Sequence, residues 1–183
     1  MIEKEIKILL NKEQYDFLMQ QFDWDESRTQ TNFYYTDNQD CIEKEGITVR
    51  VRECNHKAVL QIKIPVDERG ALHIKREFET DMEDVPEDIE GTFLSELCSI
   101  SLPDVSMAGS LVTERSICNW KEGIEISLDK NKYLDAEDYE IEIEYKEELD
   151  SVIVKFLEDN NIKIQKKVEG KCRRFFNQLE KRL

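Results

Sequence analysis

Histidine is nearly missing from this chain of 183 residues, with His56 and His73 the only two. Five cysteines, Cys41, Cys54, Cys98, Cys118 and Cys172, are scattered and contain no C-x-x-C pair. Such a set argues against a His/Cys metal centre, a zinc site or a disulfide framework, and predicts reduced thiols in a cytoplasmic protein. Long apolar runs are absent too: none nears the ~18 residues of a membrane span. The N-terminal Met1-Ile2-Glu3-Lys4-Glu5 lacks the apolar stretch of a signal peptide. A soluble protein with no membrane partner is therefore expected. Basic residues are the minority, 26 Lys and Arg against 41 Asp and Glu, for a formal net charge of −15. That disfavours a nucleic-acid partner, which needs a basic face. It leaves room for an anionic ligand wherever cations gather locally. With 39% apolar residues and no low-complexity tract, the expectation is one folded domain over residues 1–183.

What is present is period-two alternation, which sends successive side chains to opposite faces of a strand. Ile2, Lys4, Ile6 and Ile8 alternate with Glu3, Glu5 and Lys7; Ile47, Val49 and Val51 alternate with Thr48, Arg50 and Arg52. Further strands are read at 59–64, 74–79, 124–129 and 140–144, and two more around Asn32–Thr36 and Leu111–Asn119. Four helices interrupt them. Asn11 with Gln14 reads as a capping box ahead of the stripe Tyr15, Leu18, Met19 and Phe22. The others are read around Ile89–Ile100, at the stripe Leu149–Leu157, and at the stripe Val168–Leu179. Turns are predicted at Asn38–Asp40, Asp67–Gly70, Glu122–Gly123 and Lys130–Lys132. About eight strands with few helices predict an α+β, predominantly β fold: a strongly curved antiparallel sheet or closed barrel in one domain.

Taken singly, each strand has an ordinary explanation, with its charged face in water. The set asks for more. Glu3 and Glu5 share one strand face, Glu140, Glu142 and Glu144 another, and Arg50 and Arg52 a third. Like charges at i and i+2 sit roughly 7 Å apart, which is costly unless something of opposite sign lies between them. Paired carboxylates suit a hard divalent cation, and paired arginines suit phosphate. A closed sheet would turn these faces inward and pack its apolar faces outward against the four helices.

Glu3-Lys4-Glu5-Ile6-Lys7 resembles the E-x-E-x-K signature of CYTH-domain proteins, the triphosphate tunnel metalloenzymes related to thiamine triphosphatase and class IV adenylate cyclase. The rest of the chain is similar to the family in order: Asn32–Asp37, Thr48–Arg52, Val59–Lys63, Thr113–Arg115, Leu128-Asp129 with Tyr133-Leu134, Tyr139–Glu142, and Gly170–Phe175. The resemblance implies an eight-stranded antiparallel tunnel that binds a small-molecule triphosphate or polyphosphate. It implies that Lys7, Arg50, Arg52, Lys63, Arg115 and Lys171 hold phosphate oxygens. It also implies that Glu3, Glu5, Asp129, Glu140 and Glu142 hold one or two Mg²⁺ or Mn²⁺ ions, with Glu5, Lys7 and Arg52 closest to the chemistry. Parity alone does not say which pair among Glu140, Glu142 and Glu144 serves. Thr113, Gly170 and Asp135 depart from the family pattern at places usually basic, hydroxylated and glycine, respectively. Lys75 and Glu77 face inward by parity without a family anchor, His73 reads as a surface or rim residue, and Arg174 as a partner of the barrel wall.

The function implied is a metal-dependent triphosphatase acting on inorganic tripolyphosphate or a small organic triphosphate. An adenylate cyclase of the same family and a non-catalytic polyphosphate-binding module are the alternatives. A homodimer stays open.

Overall fold

The structure, a computed structural model, describes residues 2–69, 71–165 and 168–182. Among these described residues, nine strands and five helices follow one another as β1 (Ile2–Leu10), α1 (Lys12–Met19), β2 (Glu26–Thr36), α2 (Cys41–Lys44), β3 (Thr48–Cys54), β4 (Lys57–Arg69), β5 (Leu72–Met82), β6 (Asp88–Ile89), α3 (Gly91–Cys98), β7 (Val105–Lys121), β8 (Ile124–Tyr133), β9 (Ala136–Tyr145), α4 (Ser151–Asp159) and α5 (Lys171–Glu180). All pairings are antiparallel in the order β2-β3-β4-β5-β1-β9-β8-β7, and β7 returns to β2, closing an eight-stranded barrel. The short β6 is an extra strand beside the start of β7. The closed barrel expected from the alternation is therefore present.

Its polarity is inverted relative to a soluble barrel with an oily core. The outward apolar rows meet helices on two sides. Ile6, Ile8, Ile126, Leu128, Ile141 and Ile143 pack with Leu18 of α1 and with Ile153 and Leu157 of α4. Val49, Val51, Leu60 and Ile62 pack with Ile42 of α2 and Leu94 of α3. Each fully buried aliphatic side chain there contributes about 1.5–3 kcal/mol. The capping box at Asn11 forms as expected and fixes where α1 begins.

α5 departs from this plan. Phe175 and Phe176 pack against Tyr34, Leu111 and Tyr133, which stand on the inward rows of β2, β7 and β8. The last stripe thus closes one end of the barrel instead of covering its outer wall. Gly109 makes room for this helix: at φ +147° it lies so close that an added Cβ would stand 2.9 Å from the Phe175 ring.

The predicted turn at Lys130–Lys132 is corrected. β8 runs through it, and the reversal comes at Leu134, whose φ is 53°. Polarity there has another cause: Asn131 points inward to Thr113 and Asp138, while Lys130 and Lys132 face Glu114 outside. β4 also runs on to Arg69, and Gly70 of the turn expected at 67–70 lies outside the described residues. Among the described residues, no helix is long and apolar enough to cross a membrane. All five cysteines are free thiols.

Candidate functional site: a charged cavity inside the barrel

Strand register builds the interior. Residues directly opposite on neighbouring strands share a face, so the inward rows are read by pairing. Glu5 faces Glu144 and Lys7 faces Glu142 across β1 and β9. Glu3 faces Lys75, and Glu5 faces His73, across β1 and β5. Asp129 faces both Glu140 and Arg115, and Arg115 faces Arg28. Arg50 faces Tyr34 and Gln61, while Arg52 faces Asn32. These rows enclose a cavity of about 810 Å³.

Of the residues expected from sequence, Glu3, Glu5, Lys7, Arg50, Arg52, Lys63, Arg115, Glu142 and Lys171 all line this cavity. Asp129 and Glu140 are fully buried and do not reach its surface; they lie against Arg115 and Lys171. His73, read as a rim residue, is instead buried to 4% exposure and lines the cavity with Lys75 and Glu77. Arg174 does brace the wall, pairing with Asp138 at 2.8 Å and Glu140 at 2.9 Å.

The carboxylates fall into two groups. Asp129, Glu140 and Glu142 form one, with oxygens within 4.8 Å of one another. It is saturated with cations: Lys171 lies 2.8 Å from Asp129 and 2.9 Å from Glu142, and also bonds Glu140. Arg115 bridges Asp129 and Glu142, and Lys7 bonds Glu142. Burial alone would raise Glu142, but Lys7 and Arg115 hold it well below the usual carboxylate range. Burial likewise works against the Arg115 charge, and Asp129 and Glu142 hold it well above its ordinary value. Lys171 is pushed down by burial, with the Asp129 carboxylate opposing.

Glu3, Glu5 and Glu144 form the second group, with ligand oxygens equally close. Lys63 approaches Glu3 at 2.7 Å and Lys7 approaches Glu5 at 2.9 Å, but among the described residues no ion pair reaches Glu144. Burial, with Glu3, Glu142 and Glu5 crowding it, pushes Glu144 up to about 8. An oxygen-only trio carrying excess negative charge is the donor set a hard divalent ion takes, so these residues fit such an ion.

Opposite in character are Arg50 and Arg52. Arg50 donates to Gln61 at 2.7 Å and Arg52 to Asn32 at 2.9 Å. Among the described residues neither guanidinium has a carboxylate ion pair. Burial, together with Arg50 and Arg115, brings Arg52 down to about 9. One buried and one half-buried guanidinium, each held by a neutral amide, leave positive charge for a bound anion.

Glu144, Gln61 and Arg28 line the cavity as well, beyond the residues assigned from sequence. Glu144 was left undecided because register, not parity, ranks the three glutamates of β9. Gln61 supplies the neutral anchor of Arg50. Arg28 follows from continuing the β2 alternation back from Asn32 through Gln30, and its buried Nε has no hydrogen-bond partner in the protein.

The CYTH domain profile matches residues 1–176. YjbK of Bacillus subtilis (strain 168), provisionally named a triphosphatase, is 29% identical over 189 residues, covering 98% of this chain and 97% of YjbK. Among solved structures, the Hippeastrum protein HpAC1, provisionally an adenylyl cyclase and described as having a dominant triphosphatase activity, superposes with a TM-score of 0.78. Its identity is 17%, over 96% of both chains. A Bacillus halodurans protein provisionally named an adenylate cyclase gives a TM-score of 0.72 at 25% identity, over 94% of this chain and 96% of that one. The chain belongs to the CYTH domain family.

Proposed function

We propose that this protein is a divalent-metal-dependent triphosphatase that draws inorganic tripolyphosphate or a small organic triphosphate into the barrel. The observation that carries this reading is the segregation of charge inside one cavity. Among the described residues Arg50 and Arg52 have no carboxylate partner, and the trio of Glu3, Glu5 and Glu144 sets three carboxyl groups against two lysine contacts, Lys63 on Glu3 and Lys7 on Glu5. A phosphate chain satisfies the first and a divalent ion the second. The name given to YjbK agrees with this reading.

Arg50 and Arg52 bind phosphate oxygens through planar, multidentate contacts made in a dry setting, where they are stronger than in water. Lys63 and Arg115, at the cavity wall, complete the positive lining. Lys7, held above the ordinary lysine range by Glu142 and Glu5 against the effect of burial, stays charged beside the transferring group. Phosphoryl transfer asks the protein mainly to position the chain and spread its charge. Glu3, Glu5 and Glu144 would hold Mg²⁺ or Mn²⁺, which supplies Lewis-acid polarisation of phosphate oxygens and of water. Water adds to the terminal phosphorus, the P–O–P bond breaks, and orthophosphate leaves with the shortened chain.

The test is a phosphate-release screen of tripolyphosphate, nucleoside triphosphates and thiamine triphosphate with Mg²⁺ and Mn²⁺. Orthophosphate identifies the hydrolase; pyrophosphate with a cyclic nucleotide identifies a cyclase instead. Binding without turnover identifies a non-catalytic module. Glu5→Gln should abolish metal-dependent turnover, and turnover that survives it removes Glu5 from the site.

A further inference from the structure

Along the inner face of β2 the side chains run Arg28, Gln30, Asn32 and Tyr34, two residues apart. Tyr34 stands under α5 at the closed end, and the strand rise puts Arg28, six residues back, about 20 Å away. Across β2 and β3, Arg50 is opposite Tyr34 and Arg52 opposite Asn32. Arg28 therefore carries the line of guanidinium groups two inward positions past Arg52. On its other side it is opposite Arg115, and like charges directly opposite on paired strands are destabilising. Arg115 is answered by Asp129 and Glu142. Among the described residues Arg28 pairs only with Glu26 of its own strand, at 3.3 Å, with side chains 30% and 50% exposed. A pair so open to water contributes little.

Hydrogen-bond donors on the same row are unspent as well. Arg28 Nε, Gln30 Nε2 and Asn32 Nδ2 are buried atoms with no hydrogen-bond partner in the protein. Buried donors are nearly always paired, so three in succession beside a wide cavity mark a place for acceptors from outside the chain. At about 810 Å³ the cavity has more room than three phosphates fill. A linear phosphate chain is the acceptor that fits this row. Each unit brings oxygens and negative charge at a short, regular spacing, and a guanidinium takes two of those oxygens at once. We infer that Arg28 determines chain length: it binds a phosphate unit beyond the three held around Arg50 and Arg52, so that the cavity prefers linear inorganic polyphosphates of four or more units. The inference rests on the proposed function in taking the cavity for a phosphate site, and extends its substrate class to longer chains.

The experiment compares tripolyphosphate with tetrapolyphosphate on the full-length protein at saturating Mn²⁺. It reads KM where phosphate is released and Kd by calorimetry where it is not. The wild type should take the longer chain about tenfold or more tightly, the worth of one or two hydrogen bonds to a charged group. Arg28→Gln should erase that preference. Arg28→Lys keeps the charge but not the planar fork and should lower it. A wild type that does not distinguish the chains, or a preference that survives Arg28→Gln, overturns the inference. Should Arg28→Gln fail to fold, an undiminished preference in Arg28→Lys overturns it equally. Tighter binding of the longer chain without phosphate release sinks the proposed function and spares this inference. Release from both chains at equal KM does the reverse, and binding of neither chain overturns both.

Discussion

Arg52 donates to the Asn32 amide where a carboxylate partner would be the ordinary solution, and its pKa falls to about 9. A half-buried charge without a counter-ion is a cost to the fold and a gain for ligand binding. Arg52→Gln should therefore raise KM for tripolyphosphate by about 10–100-fold, the loss of one or two charge-assisted hydrogen bonds, while the melting temperature holds or rises. A parallel fall in stability would show that Arg52 serves the fold instead. Glu144 is the mirror case, its pKa raised to about 8. Between its ordinary value and about 8, the folded state binds more protons than the unfolded one, so metal-free stability should fall as pH rises through that window. Saturating Mg²⁺ or Glu144→Gln should each remove that slope, read as melting temperature against pH. A slope that persists in both assigns it to other groups. The residue types were legible in the sequence, since Arg50, Arg52, Glu3 and Glu5 line the cavity by parity alone. The partners were not: Gln61 and Asn32 become decisive only once register sets them against Arg50 and Arg52.

At the scale of elements, α5 separates what periodicity tells from what it hides. The stripe Val168–Leu179 predicts a helix with one buried face, and that helix forms. Whether the face meets the outside of the barrel or its open end depends on where the chain returns after α4, which no local pattern encodes. The short α2 and β6 were missed for a related reason: four and two residues are too few to show a period. Lys130–Lys132 was misread because an inward row in this barrel is polar, so a strand and a turn have the same composition there. Phe175 is fully buried, with its ring 5.2 Å from both Tyr34 and Phe176. Phe175→Ala should cost about 3–5 kcal/mol in urea unfolding, the range for deleting a core aromatic. A loss under about 1 kcal/mol would mean that α5 is only loosely seated and the closed end is not part of the cooperative fold.

The whole molecule carries a formal charge of −15, yet its cavity is lined by as many Lys and Arg as Glu, nine of each. The barrel achieves this because period two separates faces cleanly: every outward residue that packs on a helix has an inward neighbour free to be charged. A triphosphate alone meets Arg50 and Arg52 but also the carboxyl groups of Glu3, Glu5 and Glu144, which only two lysines contact, so metal and anion should bind better together than apart. A ligand that binds only the native state at a hundred times its Kd adds about 2.7 kcal/mol. For a chain of this size that is a rise of about 5–10 °C in melting temperature. Tripolyphosphate with Mn²⁺, at concentrations saturating the pair, should reach that range, measured against each component alone at the same concentration. The rise should exceed the sum of the two separate shifts, because each ligand removes a repulsion that the other would otherwise meet. Simple additivity would mean that the two groups of charges do not sense one another across the cavity, and the coupling between metal and anion on which the proposed reaction depends would be lost.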